Sequence, residues 1–166
     1  MYISGVRISR PILMNPRLSS DTNDGRAASH YRQTSLRTAN RGVLGSIEAV
    51  RDELLQGTDE LSDWAQQRPN FFAPLDQPTA NQFRDLTKWA NSQSFTPAAL
   101  NNYTENDADY LLVAYAKAHG YTVVTREASD PKSKKRVKIP NACAAMGVRT
   151  VNFFDVLRNT GAQLII

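Results

Sequence analysis

The stretch "NDADYLLVAYAKAHGYTVVTRE", residues 106–127, carries the clearest indication of the fold. Its middle is apolar and rich in alanine, which predicts a buried helix over residues 107–119 that ends at Gly120. The short β-branched run "YTVVT" follows directly and predicts a buried strand. Carboxylates lie at both ends of this helix–strand unit, so they either cap and solubilise it or converge on a cation.

The chain after residue 43 extends this alternation of helices and strands. "SIEAVRDELL", with Ser46 as cap, and "TDELSDWAQQ", with Thr58 as cap, each predict a helix, as does "PTANQFRDLTKWANSQ". "VRTVN", near the end of the chain, predicts a further strand. Strands and helices that alternate over short links predict an α/β fold with a parallel sheet. In such sheets, functional groups gather beyond the carboxyl ends of the strands.

Length and composition indicate one ordinary globular domain. The chain has 166 residues, of which 41% are hydrophobic and 22% are charged. No stretch is apolar and long enough to cross a membrane, and the amino-terminal residues lack the pattern of a secretory signal. The single cysteine, Cys143, excludes an internal disulfide and a cysteine-based zinc cluster. We therefore expect a cytoplasmic protein.

The amino-terminal part differs from the rest in charge and pattern. Residues 1–45 hold seven arginines against two aspartates, a balance of +5 in a chain whose net charge is +4. A basic end permits contact with a polyanion, although it also serves solubility. Residues 15–41 show no helical or strand period. The chain is therefore divided into an atypical basic segment, residues 1–42, and a domain, residues 43–166.

The acids are the best candidates for a functional site, because no glycine-rich phosphate loop or dinucleotide motif is present. Glu53 borders the apolar stripe of its helix, Asp107 and Asp109 open the next buried helix, and Glu127 ends a strand. Acids that meet at one sheet edge would hold Mg²⁺ or Mn²⁺. Helix capping, solvation, or pairing of Glu127 with a lysine of the following loop explains the same acids without a metal.

Four segments in this order resemble the PIN-domain-like family, in particular a prokaryotic PIN-like branch. They are "SIEAVRDELL", "ADYLLVAYAKA", "YTVVTRE" and "VKIPNACAAMGV", and they cover most of residues 43–158. The family consists of metal-dependent nucleases and includes the VapC-type ribonuclease toxins of bacterial toxin–antitoxin pairs. The resemblance implies a PIN-like three-layer α/β fold, with a central parallel sheet flanked by helices.

The resemblance also implies which residues act and on what. Glu53, Asp109 and Glu127 match the family's acids that bind Mg²⁺ or Mn²⁺ and catalyse the hydrolysis of RNA, while Asp107 becomes a cap. The expected partners are an RNA substrate, a cognate antitoxin protein and, as in many relatives, a second copy of the chain. Phosphates beside the cleaved bond would meet four residues of the basic loop, namely Lys132, Lys134, Lys135 and Arg136. The alternative is that this loop is only a solvated surface.

The amino terminus departs from the family pattern. Family members begin with a strand such as "MYLLD", whose aspartate is the first metal ligand, whereas this chain begins "MYISG" and has Gly5 there. Asp21, in a later "DTN", is the alternative candidate, but "PRLSS" before it makes a poor strand. A central strand is therefore expected to be lost together with the ligand. Two functions stay open: a metal-dependent endoribonuclease toxin, or a PIN-like interaction module that cleaves weakly or not at all.

Overall fold

A five-stranded parallel sheet forms the centre of the computed structural model, which describes residues 12–14, 44–101, 107–152 and 155–156. Its strands lie side by side in the order β3-β2-β1-β4-β5, and each pair of neighbours is parallel. The strands are β1 (Ile12–Met14), β2 (Leu44–Ile47), β3 (Phe72–Ala73), β4 (Thr122–Val124) and β5 (Thr150–Val151).

Helices connect these strands. In chain order they are α1 (Glu48–Leu55), α2 (Glu60–Gln66), α3 (Gln77–Ser92), α4 (Pro97–Asn101), α5 (Ala108–His119) and α6 (Ile139–Met146), with a 3₁₀ turn at Pro69–Phe71. The predicted fold class, an α/β fold with a central parallel sheet flanked by helices, is confirmed. Among the described helices, none has the length and apolar character needed to cross a membrane.

The central strand comes from the amino-terminal part of the chain. Ile12 in β1 pairs with Leu44 in β2 on one side and with Thr122 in β4 on the other. The expectation that a central strand is lost was therefore wrong. The sheet also joins the segment predicted as residues 1–42 to the domain predicted as residues 43–166, although the division at residue 42 itself stays a prediction.

Helix α5 is the most deeply buried helix of the described chain. Leu112, Val113 and Ala114 have no exposed surface, because the helix packs against α3, α6, α1 and the sheet. A helix that is apolar on all sides is stable only when it is surrounded in this way. The buried strand β4 follows it, with Val123 fully buried. The predicted helix–strand unit is thus the core of the fold.

Gly120 ends α5 in a left-handed backbone conformation, with φ of 73°. A β-carbon there would meet no atom within 4 Å, so the cost of a side chain is conformational alone. We expect Gly120→Ala to lower the free energy of unfolding by about 1 kcal/mol. Gly120→Asn should cost less, because asparagine tolerates this conformation. Urea unfolding of both variants measures the difference, and equal stability of Ala, Asn and wild type would contradict it.

Two of the predicted helix caps were wrong. Ser46 lies inside β2, and the residue at the cap position of α1 is Ile47, which makes no side-chain capping hydrogen bond. In α2 the cap is Asp59, not Thr58: its carboxylate accepts a hydrogen bond from the Ser62 N–H at 3.0 Å. The apolar run "VLGSI" supplies a buried strand first, so the helix begins only after it.

Cys143, the single cysteine of the chain, lies in the core. Its side chain is on α6 and has no exposed surface. Burial raises the pKa of the Cys143 thiol to about 12. The thiol therefore stays protonated near neutral pH, which makes it a packing residue rather than a nucleophile.

Candidate metal centre and basic loop

Two acids lie at the start of α5. The carboxylate of Asp107 caps the helix by accepting a hydrogen bond from the Asp109 N–H at 3.1 Å. Asp109 follows in the first turn, where the helix dipole favours a negative charge. The predicted role of Asp107 as a cap is confirmed. The cap also fixes the position of Asp107 relative to Asp109.

A third acid reaches the same place from another helix. Burial raises the pKa of Asp107 to about 6, and the negative charges of Asp109 and Glu53 contribute to the rise. Glu53 belongs to α1, and all three residues are half-buried. Glu53 and Asp109, both predicted site residues, therefore lie near enough to Asp107 for their charges to act on its carboxyl group. We call these three residues the acidic cluster.

The acidic cluster fits a hard divalent cation in its chemistry. Carboxylate oxygens are the protein ligands that Mg²⁺ and Mn²⁺ prefer, and a cation would offset both the burial and the neighbouring negative charges that raise the pKa of Asp107. In the part of the chain that the structure describes, however, no three side chains of His, Cys, Asp or Glu are arranged to hold a metal ion. The donor types are suitable, whereas a closed coordination set is not formed by the described residues.

Glu127 approaches the same helix start but has partners of its own. The pKa of Tyr110, the residue after Asp109 on α5, shows that Glu127 lies near. Burial raises this pKa, and the negative charges of Asp107, Asp109 and Glu127 contribute to the rise. The Glu127 side chain is 13% exposed, and its Oε1 lies 3.2 Å from the Arg136 guanidinium. The predicted alternative, pairing with a lysine of the following loop, is also seen: Lys138 Nζ lies 3.8 Å from the same oxygen.

The second oxygen of Glu127 is engaged by the protein backbone. Oε2 accepts a hydrogen bond from the N–H of Ile139, the first residue of α6, at 2.8 Å. Both oxygens of Glu127 therefore have partners within the chain. Its assignment to a metal ion stays a prediction.

The basic loop, residues 128–138, is tied to the rest of the protein. Tyr110 Oη donates to the Val137 carbonyl at 2.6 Å, and the Thr96 N–H donates to the Lys134 carbonyl at 2.9 Å. Asn141 of α6 donates to the Asp130 carbonyl at 2.7 Å. These contacts give the loop a defined shape.

The predicted phosphate-binding residues differ in whether their side chains face an acid. Lys132, Lys134 and Lys135 are exposed, and within the described residues none of them forms an ion pair. Arg136 is exposed too, but its guanidinium faces Glu127. Asn141 and Tyr110, which hold the loop, were not predicted, because no spacing in the sequence links them to it. Gly5 and Asp21 lie outside the described residues.

Residues 32–164 match the model of a family described as "Domain of unknown function (DUF4411)". The chain belongs to the DUF4411 family. The description of DUF4411 states no activity, and a search of curated proteins found no match to the chain.

Two solved structures are similar to this DUF4411 chain at 16% sequence identity. FitAcB from Neisseria gonorrhoeae aligns with a TM-score of 0.47 over 85% of this chain and 96% of its own. FitAB bound to an IR36 DNA fragment aligns with a TM-score of 0.49 over 85% of this chain and 94% of its own. Likeness at this level indicates nothing about chemistry, so the function of the DUF4411 chain must be inferred from its own side chains.

The charge of Asp107 should make the stability of the DUF4411 chain depend on pH. Its pKa is 3.8 in a free carboxyl and about 6 in the folded chain, so the folded state holds this proton more tightly. The charge therefore destabilises the fold above about pH 6, and the penalty disappears as the pH falls toward 4. Asp107→Asn keeps an oxygen for the Asp109 N–H but removes the charge. We expect its melting temperature to exceed that of wild type by a few degrees near neutral pH.

Melting curves recorded across this pH range test the prediction for Asp107. The advantage of Asp107→Asn should vanish at about pH 4, where the wild-type carboxyl is protonated as well. Asp85→Asn is the control, since Asp85 lies exposed on α3 and pairs with Lys88. An Asp107→Asn variant that is less stable than wild type near neutral pH would contradict a destabilising effect of the buried Asp107 charge.

Proposed function

We propose that this chain is a PIN-like, divalent-metal-dependent endoribonuclease that hydrolyses RNA phosphodiester bonds and serves as the toxin of a toxin–antitoxin pair. The observation that carries the proposal is the acidic cluster, in which Asp109 and Glu53 act on a capped and half-buried Asp107. The four sequence segments that resemble PIN-like nucleases, and the parallel sheet that holds them, support it.

The acidic cluster is the proposed place of the metal ion. Glu53 and Asp109 would hold Mg²⁺ or Mn²⁺, with Asp107 beside them. When bound, such an ion polarises a phosphodiester and lowers the pKa of the attacking water. The chain itself positions the acids: the Asp107 cap fixes the first turn of α5, and Glu53 is carried by a separate helix, α1. Both oxygens of Glu127, the third ligand that the resemblance implies, have partners within the chain.

The proposed contact with RNA follows from the charges around this site, whereas the antitoxin follows from the resemblance to PIN-like toxins. Phosphates of the RNA would meet the exposed lysines of the basic loop, which position the strand without reading its sequence. A cognate antitoxin that covers the acidic cluster would block access to it. A second copy of the chain is a further proposed partner, drawn from the resemblance alone.

The proposed activity is tested by incubating a mixed RNA pool with the purified chain. We expect cleavage in Mn²⁺ or Mg²⁺, no cleavage in EDTA, and products that carry 5′-phosphates. Cleavage that continues unchanged in EDTA would contradict a metal-dependent mechanism. Absence of cleavage in either metal, with the chain folded, would favour the second candidate.

The second candidate is a PIN-like protein that keeps the fold and a partner surface but cleaves weakly or not at all. Two observations favour it. The described side chains form no group of three that is arranged to hold a metal ion. The family pattern ends its first strand with an aspartate, whereas β1 is followed in the sequence by Asn15, and Gly5, the position expected from the sequence alone, precedes β1.

The variant Asn15→Asp separates the two candidates. If the missing carboxylate limits the site, Asn15→Asp should raise the affinity for Mn²⁺ about tenfold, since affinity for hard cations rises with the number of ligand charges. RNA cleavage should increase with it. Asn101→Asp, which adds the same charge at an exposed position on α4, is the matched control. Equal Mn²⁺ affinity in wild type and both variants would show that position 15 does not limit the site.

A further inference from the structure

Glu127 is bonded as a structural anchor. Its Oε2 accepts the Ile139 N–H at 2.8 Å, and the residue at the cap position of α6, Lys138, makes no side-chain capping bond of its own. Glu127 therefore satisfies a helix-start N–H that the local sequence leaves open. At the same time Oε1 faces the cations of Arg136 and Lys138. One carboxylate thus holds both the end of the basic loop and the start of α6.

The remainder of the basic loop is fixed from three other directions. Asn141 accepts hydrogen bonds from the Ser129 hydroxyl and the Asp130 N–H, and it donates one back to the Asp130 carbonyl. Thr96 holds the middle of the loop, and Tyr110, the residue after Asp109, holds its end. Because Tyr110 belongs to α5, the loop has a fixed position relative to the acidic cluster.

The charge of this segment suits a polyanion. Residues 126–138 contain six lysines and arginines against two acids, a local balance of +4. Both acids are used within the segment: Glu127 as described, and Asp130 through a hydrogen bond from the Lys132 N–H at 3.1 Å. The cations that remain exposed, and unpaired among the described residues, are Lys132, Lys134 and Lys135. Three exposed lysines within four residues of a loop that is held by hydrogen bonds suit the phosphates of a polyanion.

We propose that Glu127 is a positioning residue, which fixes the basic loop so that Lys132, Lys134 and Lys135 meet the phosphates of single-stranded RNA. The choice of RNA as the polyanion rests on the proposed function. Glu127 in this role is not a ligand of the metal ion. It acts through the loop and through the start of α6, while the acidic cluster holds the cation.

Substitution of Glu127 distinguishes its positioning role from its charge, because loss of the anchor and loss of the negative charge change the RNA affinity in opposite directions. Glu127→Ala and Glu127→Gln each remove one negative charge, and charge alone would make both variants bind RNA more tightly. Loss of the anchor does the reverse. One hydrogen bond to a charged group is worth about tenfold or more in an equilibrium constant, and the charge effect offsets part of this loss, so we expect Glu127→Ala to bind RNA about three- to tenfold more weakly. Glu127→Gln keeps an acceptor for the Ile139 N–H and should lose less.

The experiment measures fluorescence anisotropy of a labelled single-stranded RNA of mixed sequence with the full chain in EDTA, over a series of KCl concentrations. Without metal the RNA stays intact, so binding is measured apart from cleavage. Lys134→Ala should weaken binding and reduce the slope of log affinity against log salt by about 1. Lys117→Ala, at the far end of α5 from the loop contact of Tyr110, is the control and should leave the slope unchanged.

Mn²⁺ titration of Glu127→Gln completes the test. We expect the Mn²⁺ affinity of wild type, since the variant leaves the acidic cluster intact. Tighter or unchanged RNA binding in Glu127→Ala overturns the proposal, as does loss of Mn²⁺ affinity in Glu127→Gln. If Glu127→Ala does not fold, Glu127→Gln decides by itself: tighter RNA binding by this variant than by wild type overturns the proposal. RNA affinity that falls from wild type through Glu127→Gln to Glu127→Ala, without any cleavage in Mn²⁺, would refute the nuclease activity. It would leave the positioning role of Glu127 in place.

Discussion

Asp109→Asn should lower the Mn²⁺-dependent cleavage of RNA by about 100-fold or more, because loss of a residue that only supports a metal ligand already costs 10- to 100-fold. The substitution keeps the shape of the side chain and leaves the Asp109 N–H to bond with Asp107. It removes one of the carboxylates that face the proposed ion. Glu53→Gln, on the separate helix α1, should produce a loss of the same order.

Initial cleavage rates at saturating Mn²⁺, with melting curves of each variant, measure this loss. Asp85→Asn provides the matched control, since it neutralises an exposed aspartate on α3 that lies outside the acidic cluster. Cleavage of equal rate in wild type, Asp109→Asn and Glu53→Gln would show that the activity belongs to a contaminant or to another site.

Leu112→Ala should be the most destabilising of the single changes considered, with a loss of about 2–5 kcal/mol in the free energy of unfolding. Leu112 has no exposed surface, and it lies one turn into α5, the helix that contacts α3, α6, α1 and the sheet. Truncation leaves a cavity, and the closely packed elements around α5 cannot all move to fill it. A loss of this size is a large fraction of the total stability of a small domain.

Urea unfolding measured by circular dichroism tests the role of α5. Lys117→Ala on the same helix is exposed and should change the free energy of unfolding by no more than about 0.5 kcal/mol. A Leu112→Ala variant within 1 kcal/mol of wild type would mean that α5 is not the centre of the core.

Much of the fold is predictable where local signals are strong. The apolar run of α5, the Gly120 stop and the β-branched β4 define one helix–strand unit without any tertiary information. Pro97 at the start of α4 and Gly147 at the end of α6 act in the same way. In each case the residue type meets a backbone requirement that is local to the chain.

The short strands are a different matter. β1 has three residues, "ILM", and β3 has two, "FA", so neither is long enough to show a period of two. β2 lies directly before α1, and its "SI" is equally compatible with the first turn of a helix. These strands exist because neighbouring strands complete their hydrogen bonds, which is a tertiary effect that spacing along the sequence does not reveal.

The candidate site shows the same division. Acids at Glu53, Asp109 and Glu127 stand out because they interrupt apolar patterns, and the charges of the first two contribute to the raised pKa of Asp107. The partners of Glu127 depend on how a loop of eleven residues, 128–138, folds back toward α5. No periodic pattern governs such a loop, so its ion pairs could not be predicted beyond a general pairing with a lysine.

Calorimetric titration of the chain with Mn²⁺ tests the central claim, that the acidic cluster is a cation site. Wild type should bind Mn²⁺, and Asp109→Asn and Glu53→Gln should each bind at least about tenfold more weakly, while Asp85→Asn binds as wild type does. Wild type that takes up no Mn²⁺, or variants at Asp109 and Glu53 that bind it with undiminished affinity, would contradict the claim.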